Sequence, residues 1–211
     1  MTKTQIALAL LTFVASAPLA GQTQTDIDPV GDFNLPFYVG PLNAGLDVTS
    51  FTVSFDGTNF TLGATMAGPI DPTLVGGLYV IGVDTGGSAN PGPFANIGNP
   101  DVIFNRVIVL NGQTEVATLS GTTLVSDITG NMFSITVPVS LFGTTALGPL
   151  EYGFNLWPRV GTGNNNQISD FAPDNAVLRL VPEPATWMTM LLGFGIAGMA
   201  LRRRRRQLAA S

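Results

Sequence analysis

The sequence predicts an all-β fold, an antiparallel β-sandwich or jelly roll, with an N-terminal signal peptide and one C-terminal transmembrane helix. Between residues 25 and 181, apolar and polar residues alternate with a period of two, as they do along half-buried strands. Turn pairs such as Asp56-Gly57 and Asn111-Gly112 interrupt this alternation. The composition, with 25 Gly, 15 Pro and 11% charged residues among 211, also favours strands and turns over helices.

One medium domain accounts for this pattern, and we expect it at residues 21–180. About eight to ten short strands are expected. The Asp56-Gly57 pair predicts a hairpin with a type I′ turn, and residues 122–143 predict another hairpin. The clearest strand segments are residues 47–55, 58–66, 77–84, 101–110, 113–119, 132–139, 151–158 and 175–181.

The N-terminus has the layout of a secretory signal peptide at residues 1–20. Lys3 is followed by an apolar run at residues 6–15 and then by small residues. Cleavage after Ala17 would leave a proline just beyond the cut, so cleavage after Ala20 is favoured. A buried first helix is the alternative, but the flanking residues favour export.

Residues 181–211 at the C-terminus contain three successive segments: a Pro-Glu-Pro tripeptide, an uncharged stretch and a cluster of arginines. An uncharged stretch at 185–201 would form a helix of about 25 Å, close to the span of a bilayer core. Trp187 suits the membrane interface, and the arginines after the stretch would hold the C-terminus in the cytoplasm. A soluble helix with a solvated tail would need a polar face, for which only Thr186 and Thr189 are available. The cluster comprises Arg202, Arg203, Arg204, Arg205 and Arg206.

"VPEPATW", a glycine-rich span and "RRRRR", in this order, resemble the PEP-CTERM sorting signal of exported proteins in Gram-negative bacteria. The resemblance implies recognition by exosortase, a membrane-embedded cysteine protease, and a link with extracellular polymeric substance and biofilm. The resemblance also implies that the protease recognises Pro182, Glu183 and Pro184, which have no catalytic role. Two prolines keep a segment extended, as a protease substrate must be, although Pro-Glu-Pro alone would fit a rigid linker equally well. Such tails are also labelled ice-binding-protein C-terminal domains, but no regular Thr-x-Thr ladder is apparent in the body.

Composition and charge exclude several classes of function. The chain has no histidine and no cysteine, which removes Ser-His-Asp and Cys-His catalysis, histidine or cysteine metal sites and disulfides. Between residues 21 and 181, eleven Asp and two Glu face three Arg, a net charge of −10 that disfavours nucleic acid.

An enzyme could use only a carboxylate pair, which would make the protein a glycoside hydrolase. Such a pair could come from Glu115, Glu151 and the aspartates, for example Asp84 with Asp101. Because no spacing singles out a pair, we expect a protein that is not an enzyme.

Asp26, Asp28 and Asp32 are candidate ligands for a structural calcium ion. They place closely spaced carboxylates on a Gly/Pro loop, which suits a hard cation, although exported Asp-rich loops are often solvated turns. "DIDPVGD" and "ISDFAPDN" resemble segments of the sandwich modules around family 9 carbohydrate-binding and DOMON-like domains. That resemblance implies glycan binding and, in some members, a structural calcium.

Trp157 is the candidate ligand-binding residue. Alternation along residues 151–158 places it opposite the expected core face, which favours a ring platform for sugars, although packing against a loop is the commoner outcome for a tryptophan. The sequence thus predicts an exported protein with a structural or adhesive role in exopolysaccharide or biofilm. The alternatives are a carbohydrate-binding module and, less favoured, the hydrolase.

Overall fold

The computed structural model describes residues 21–35, 37–180 and 192–195. Within this part of the chain the fold is all-β, with short 3-10 helices at Ala44–Leu46, Ala95–Ile97, Val139–Phe142, Pro149–Glu151 and Asn165–Gln167, and a helical turn at residues 192–195. Its strands are β1 (Gln22–Ile27), β2 (Val48–Phe55), β3 (Asn59–Met66), β4 (Gly77–Asp84), β5 (Arg106–Asn111), β6 (Ala117–Leu119), β7 (Thr122–Thr129), β8 (Met132–Pro138), β9 (Gly153–Val160) and β10 (Leu178–Arg179).

All strand pairs are antiparallel and form one sheet in the order β1-β2-β3-β8-β7-β6-β5-β4-β9-β10. Strand β7 pairs with β6 through its first residues and with β8 through its later ones, so it carries the sheet around a bend. The two edge strands, β1 and β10, come to lie beside each other. The sheet is therefore a nearly closed barrel. The all-β antiparallel prediction is confirmed, but the strands form one continuous sheet, whereas a sandwich would have two separate sheets.

The main core fills the space inside this curved sheet. Phe60 lies near its centre, with ring centroids 4.5 Å from Phe55, 5.1 Å from Phe154 and 5.6 Å from Tyr152. Each such side chain contributes about 1.5–3 kcal/mol by leaving water. A second, smaller core lies on the outer side of β4 and β9, and its members include Val80, Phe94, Val102, Trp157, Ile168 and Phe171.

Several strand boundaries differ from the predictions. Strand β1 was not predicted, because its sequence, QTQTDI, lacks apolar alternation. The expected strand at 101–110 begins only at Arg106, and those at 113–119 and 175–181 shorten to β6 and β10. In each case the missing part is loop, where side chains bond the backbone. Before β6, Asn111 Oδ1 accepts from the N–H groups of Gln113 and Thr114, and the segments before β5 and β10 are joined by the bond from the N–H of Asp101 to Asn175 Oδ1.

The predicted type I′ turn at Asp56-Gly57 is wrong. The β2–β3 loop has three residues, 56–58, and of these only Gly57 has a positive φ, +97°. A type I′ turn needs two such residues. Asp56 Oδ1 instead accepts hydrogen bonds from the N–H groups of Thr58 and Asn59, at 2.8 and 2.7 Å, and this favours the longer loop.

The signal peptide at 1–20, the motif Pro182–Glu183–Pro184, Trp187 and the arginines at 202–206 lie outside the described residues, as does most of the stretch 185–201. Within the described part of the chain, no helix is both long and apolar enough to cross a membrane.

Candidate metal centre

Five aspartates from three separate chain segments converge at the seam between the two edges of the sheet. Asp28 and Asp32 follow β1, Asp47 directly precedes β2, and Asp170 and Asp174 lie between β9 and β10. We call these five residues the acidic cluster. It gathers five of the eleven aspartates of residues 21–181, so the negative charge of the body is concentrated at one end of the seam.

The cluster consists of two overlapping trios. In Asp28, Asp32 and Asp174, one carboxylate oxygen of each lies within 4.8 Å of the others, and the same holds for Asp32, Asp47 and Asp170. Two oxygens bound to one calcium ion at about 2.4 Å can be at most about 4.8 Å apart. Asp32, which belongs to both trios, is the centre of the arrangement.

Backbone hydrogen bonds hold two carboxylates of the trio that consists of Asp32, Asp47 and Asp170. Gly31 adopts a positive φ of +85°, and its N–H donates to Asp47 Oδ2 at 2.9 Å. Asp170 Oδ2 accepts from the N–H of Val48 at 2.8 Å, and its Oδ1 accepts from the N–H of Phe171 at 2.8 Å. These bonds hold the carboxylates in place while leaving lone pairs for a further partner.

Other carboxylate oxygens of the cluster are buried without any hydrogen-bond partner. They are Asp28 Oδ2, Asp32 Oδ1 and Asp47 Oδ1. Asp28 and Asp47 expose only 7% and 2% of their surface. A buried carboxylate oxygen without a partner is costly, so this arrangement requires a balancing charge or a proton.

Burial and mutual repulsion raise the pKa values of these groups. Burial, followed by the charges of Asp170, Asp32, Asp174 and Asp26, raises the pKa of Asp28 to about 9. Burial raises the pKa of Asp170 to about 7, although the N–H donors of Val48 and Phe171 oppose the shift. Burial also raises the pKa values of Asp32 and Asp47. Without a cation, the cluster therefore retains protons at neutral pH.

No basic side chain among the described residues balances this charge. Arg106 donates to its neighbour's carbonyl, Arg159 to the loop after β9, and Arg179 to Asp84 and to the carbonyl of Glu151. Arg179 forms its ion pair with Asp84, at 2.7 Å, and Asp84 does not belong to the acidic cluster.

Of the predicted calcium ligands, Asp28 and Asp32 lie in the cluster and Asp26 lies beside it. Asp26 is the last inward-facing residue of β1; its pKa is raised by burial and by Asp174, but it belongs to neither trio. Sequence reasoning missed Asp47, Asp170 and Asp174 as ligands. The segment "ISDFAPDN" contains two of them, yet only the fold brings it against a loop more than 120 residues earlier.

The expected sugar platform at Trp157 is wrong, because this side chain is only 2% exposed. It lies on the outer side of β9, as the alternation predicted, but a loop covers it. Its ring centroid lies 4.8 Å from that of Phe104 and 5.0 Å from that of Phe94. Trp157 is thus a member of the second core.

Of the carboxylates considered for a hydrolase, Asp84 and Glu151 line one cleft, but each carboxylate makes its own structural contacts. Asp84 pairs with Arg179, while Asp101 accepts from the side-chain amide of Asn175 at 3.3 Å. Glu151 caps a 3-10 helix through the N–H of Gly148, and Glu115 lies exposed in the β5–β6 loop. Each therefore has a local role in a turn, a cap or an ion pair.

A second surface feature is an array of hydroxyl groups on the outer side of β1, β2, β3 and β8. The register aligns Thr23, Ser54, Thr61 and Thr136 in one row across four strands. Neighbouring strands lie about 4.8 Å apart, and Thr23–Ser54 and Thr25–Thr52 share hydrogen bonds of 2.9 Å. We call this surface the hydroxyl face; it comprises Thr23, Thr25, Ser50, Thr52, Ser54, Thr61, Thr65, Ser134 and Thr136.

The fold and the site together define an all-β domain with an acidic cluster at the seam of its sheet, and comparison with known families identifies the segment that follows this domain. The family model described as the PEP-CTERM protein-sorting motif matches residues 180–206. No curated protein and no solved structure matches the chain. The predicted sorting signal is confirmed, while the resemblance of the body to carbohydrate-binding modules is not.

The motif indicates how the protein is exported and sorted. A PEP-CTERM signal implies export, recognition by exosortase and membrane-anchored sorting before processing. The match begins at Leu180, immediately after β10. The folded domain therefore passes directly into the sorting signal.

Proposed function

We propose that this chain is a non-enzymatic surface or extracellular-matrix protein that exosortase sorts through its C-terminal signal. Its role in exopolysaccharide or biofilm is structural or adhesive. The observation that carries the proposal is the junction at Leu180, a side chain only 4% exposed, where the folded domain ends and the sorting motif begins. A domain joined so closely to its signal is the cargo that the signal delivers.

The transmembrane topology completes this proposal. Residues 185–201 span the inner membrane, with Trp187 at one interface and the arginines at 202–206 on the cytoplasmic side. Replacing all five arginines with glutamine is expected to weaken retention at the membrane. Protease protection measures this effect, and an unchanged topology would contradict the role assigned to the cluster.

The carboxylate chemistry supports a role without catalysis. Asp47 and Asp170, which expose 2% and 1% of their surface, are too deeply buried for a polymer substrate to reach. Glu151 is exposed but caps a 3-10 helix, and Asp84, only 4% exposed, is held in an ion pair with Arg179. Glycosidases need two carboxylates that flank the bond to be cleaved and are available for proton transfer or attack. Asp84 and Glu151 do line one cleft, but Arg179 donates to Asp84 at 2.7 Å and the N–H of Gly148 donates to Glu151 at 2.8 Å.

The alternative, a carbohydrate-binding module, is supported by the hydroxyl face. Thr61 and Thr136 are adjacent on neighbouring strands and lie outward, so their hydroxyl groups can exchange hydrogen bonds with those of a polysaccharide. This face replaces Trp157 as the surface on which adhesion would depend.

Deleting exosortase in the producing cells tests the sorting proposal. Without the enzyme, the protein is expected to accumulate in the membrane fraction with its tail attached. A chain in which Pro182, Glu183 and Pro184 are replaced by alanine should accumulate in the same way in cells that retain the enzyme. A chain with Asp127→Asn, a change on the exposed surface of β7, serves as the control. Normal release from cells lacking exosortase would contradict the proposal.

A further inference from the structure

We propose that the acidic cluster binds calcium, with Asp32 as the central ligand, and that the ion closes the seam between β1 and β10. The inference concerns the folded domain and does not depend on how the protein is sorted. It stands on the convergence of five carboxylates from three chain segments and on their unpartnered, buried oxygen atoms.

The unpartnered oxygens favour a cation over a solvated surface patch. Asp28 and Asp47 are more than nine-tenths buried, yet Asp28 Oδ2 and Asp47 Oδ1 have no hydrogen-bond donor. In each trio, one carboxylate oxygen of every member lies within 4.8 Å of an oxygen of the other two. Such an assembly is repulsive by itself, and a cation bound among the oxygens converts the repulsion into attraction.

The ligand chemistry favours calcium among the common cations. Every side chain of the cluster offers only oxygen, and the chain has neither histidine nor cysteine, the ligands that zinc and copper prefer. Calcium accepts six to eight oxygens in flexible geometry, whereas magnesium demands a near-ideal octahedron and retains several waters. Several carboxylates from separate loops therefore suit calcium better.

Binding at this position would compensate for weak pairing at the edges of the sheet. Strand β10 has only two residues, and β1 is a polar strand on the opposite edge. Asp28 directly follows β1 and Asp174 lies four residues before β10, so one ion site would join both edges. Asp47 would extend this link to the start of β2.

Calcium titration of the full chain tests the proposal. The protein, purified in mild detergent and freed of metal with EGTA, is titrated with CaCl₂ by calorimetry, and its thermal unfolding is followed by circular dichroism. At a hundred times the dissociation constant, Tm is expected to rise by roughly 5–10 °C. Asp32→Asn should weaken binding on the order of 100-fold, because it removes a charged ligand shared by both trios. The control Asp127→Asn makes the same chemical change at an exposed aspartate outside the cluster, and this variant should bind as the wild type does.

The metal-free proteins provide a second readout. Because Asp32→Asn removes a charge from a repulsive cluster, this variant should unfold in EGTA at a temperature at least equal to that of the wild type. If Asp32→Asn fails to fold, Asp174→Asn, at an exposed ligand, takes its place. The proposal is overturned if about 10 mM CaCl₂, ten times the weakest affinity typical of extracellular calcium modules, gives neither heat nor a shift. It is also overturned if MgCl₂ acts equally well or if Asp32→Asn and Asp127→Asn respond alike.

Discussion

Asp170 and Val48 are 122 positions apart in the sequence, yet Asp170 Oδ2 accepts a hydrogen bond of 2.8 Å from the N–H of Val48. This bond joins the loop before β10 to the first residue of β2. The adjacent Ser169 strengthens the junction, because its hydroxyl lies 2.9 Å from the carbonyl oxygens of Leu46 and Pro158. The seam of the barrel is therefore held by polar contacts between loops as well as by the acidic cluster.

Ser169→Ala should destabilise the domain without affecting calcium. The buried hydroxyl contacts two carbonyl groups, and its loss is expected to lower the free energy of unfolding by about 1–2 kcal/mol. Urea denaturation should give the same loss in calcium and in EGTA, since Ser169 is not a ligand. A loss seen only with calcium present would show that Ser169 acts through the ion.

The metal-free protein should become less stable as the pH rises from about 4 towards 9. Asp28 keeps its proton in the folded state up to a pKa of about 9, whereas in the unfolded chain it ionises near 3.8. Its contribution to stability is therefore complete below 3.8 and is lost as the pH rises through 9, and that of Asp170 is lost by about 7. Asp32, Asp174 and Asp26 also face Asp28 and oppose its ionisation.

The urea concentration at which half of the protein is unfolded, measured in EGTA at several pH values, checks this dependence. Asp28→Asn should flatten the decline, because asparagine does not titrate. Saturating calcium should flatten it as well, since the ion replaces the protons. A wild-type protein whose midpoint rises steadily from pH 5 to pH 9 in EGTA would contradict the expected sign.

The double substitution Thr61→Val and Thr136→Val tests the hydroxyl face. Valine preserves the shape and the strand propensity while removing the hydroxyl groups. With about 1 kcal/mol per lost hydrogen bond, affinity for the producer's own exopolysaccharide should fall roughly tenfold or more. Thr114→Val, in the exposed β5–β6 loop, is the matched control. Equal binding by the two variants in a co-sedimentation assay would remove this face from the adhesive role.

Trp157→Ala should affect stability without a direct effect on sugar binding. Removing this buried ring from contact with Phe94 and Phe104 is expected to cost about 3–5 kcal/mol. Polysaccharide binding per folded molecule should stay at the wild-type level at a temperature where the variant is folded. Lost binding at unchanged stability would restore Trp157 as a platform.

Local patterns were sufficient to predict most strands but not the site. Alternation located β4 at its observed bounds, and the order of motif, apolar span and arginines predicted the sorting signal. The seam depends on contacts between distant loops, so Asp47 and Asp170 carried no local signal of their proximity. The burial of Trp157 likewise depends on a loop from another part of the chain.

The hydroxyl face shows the same limit. No strand contributes more than three residues to this face, and no regular Thr-x-Thr ladder is apparent in the sequence. Across the sheet, the register places Thr23, Ser54, Thr61 and Thr136 side by side. Because cross-strand register follows from turn lengths and core packing together, one sequence pattern alone could not predict this row.

The intact mass of the protein recovered from outside the producing cells tests the central claim of sorted export most directly. The account predicts a C-terminus near residues 182–184 and an N-terminus close to Gly21, with Lys3 and the first apolar run removed. A protein found only in membranes, with its mass including the whole tail through Ser211, would contradict processing by exosortase.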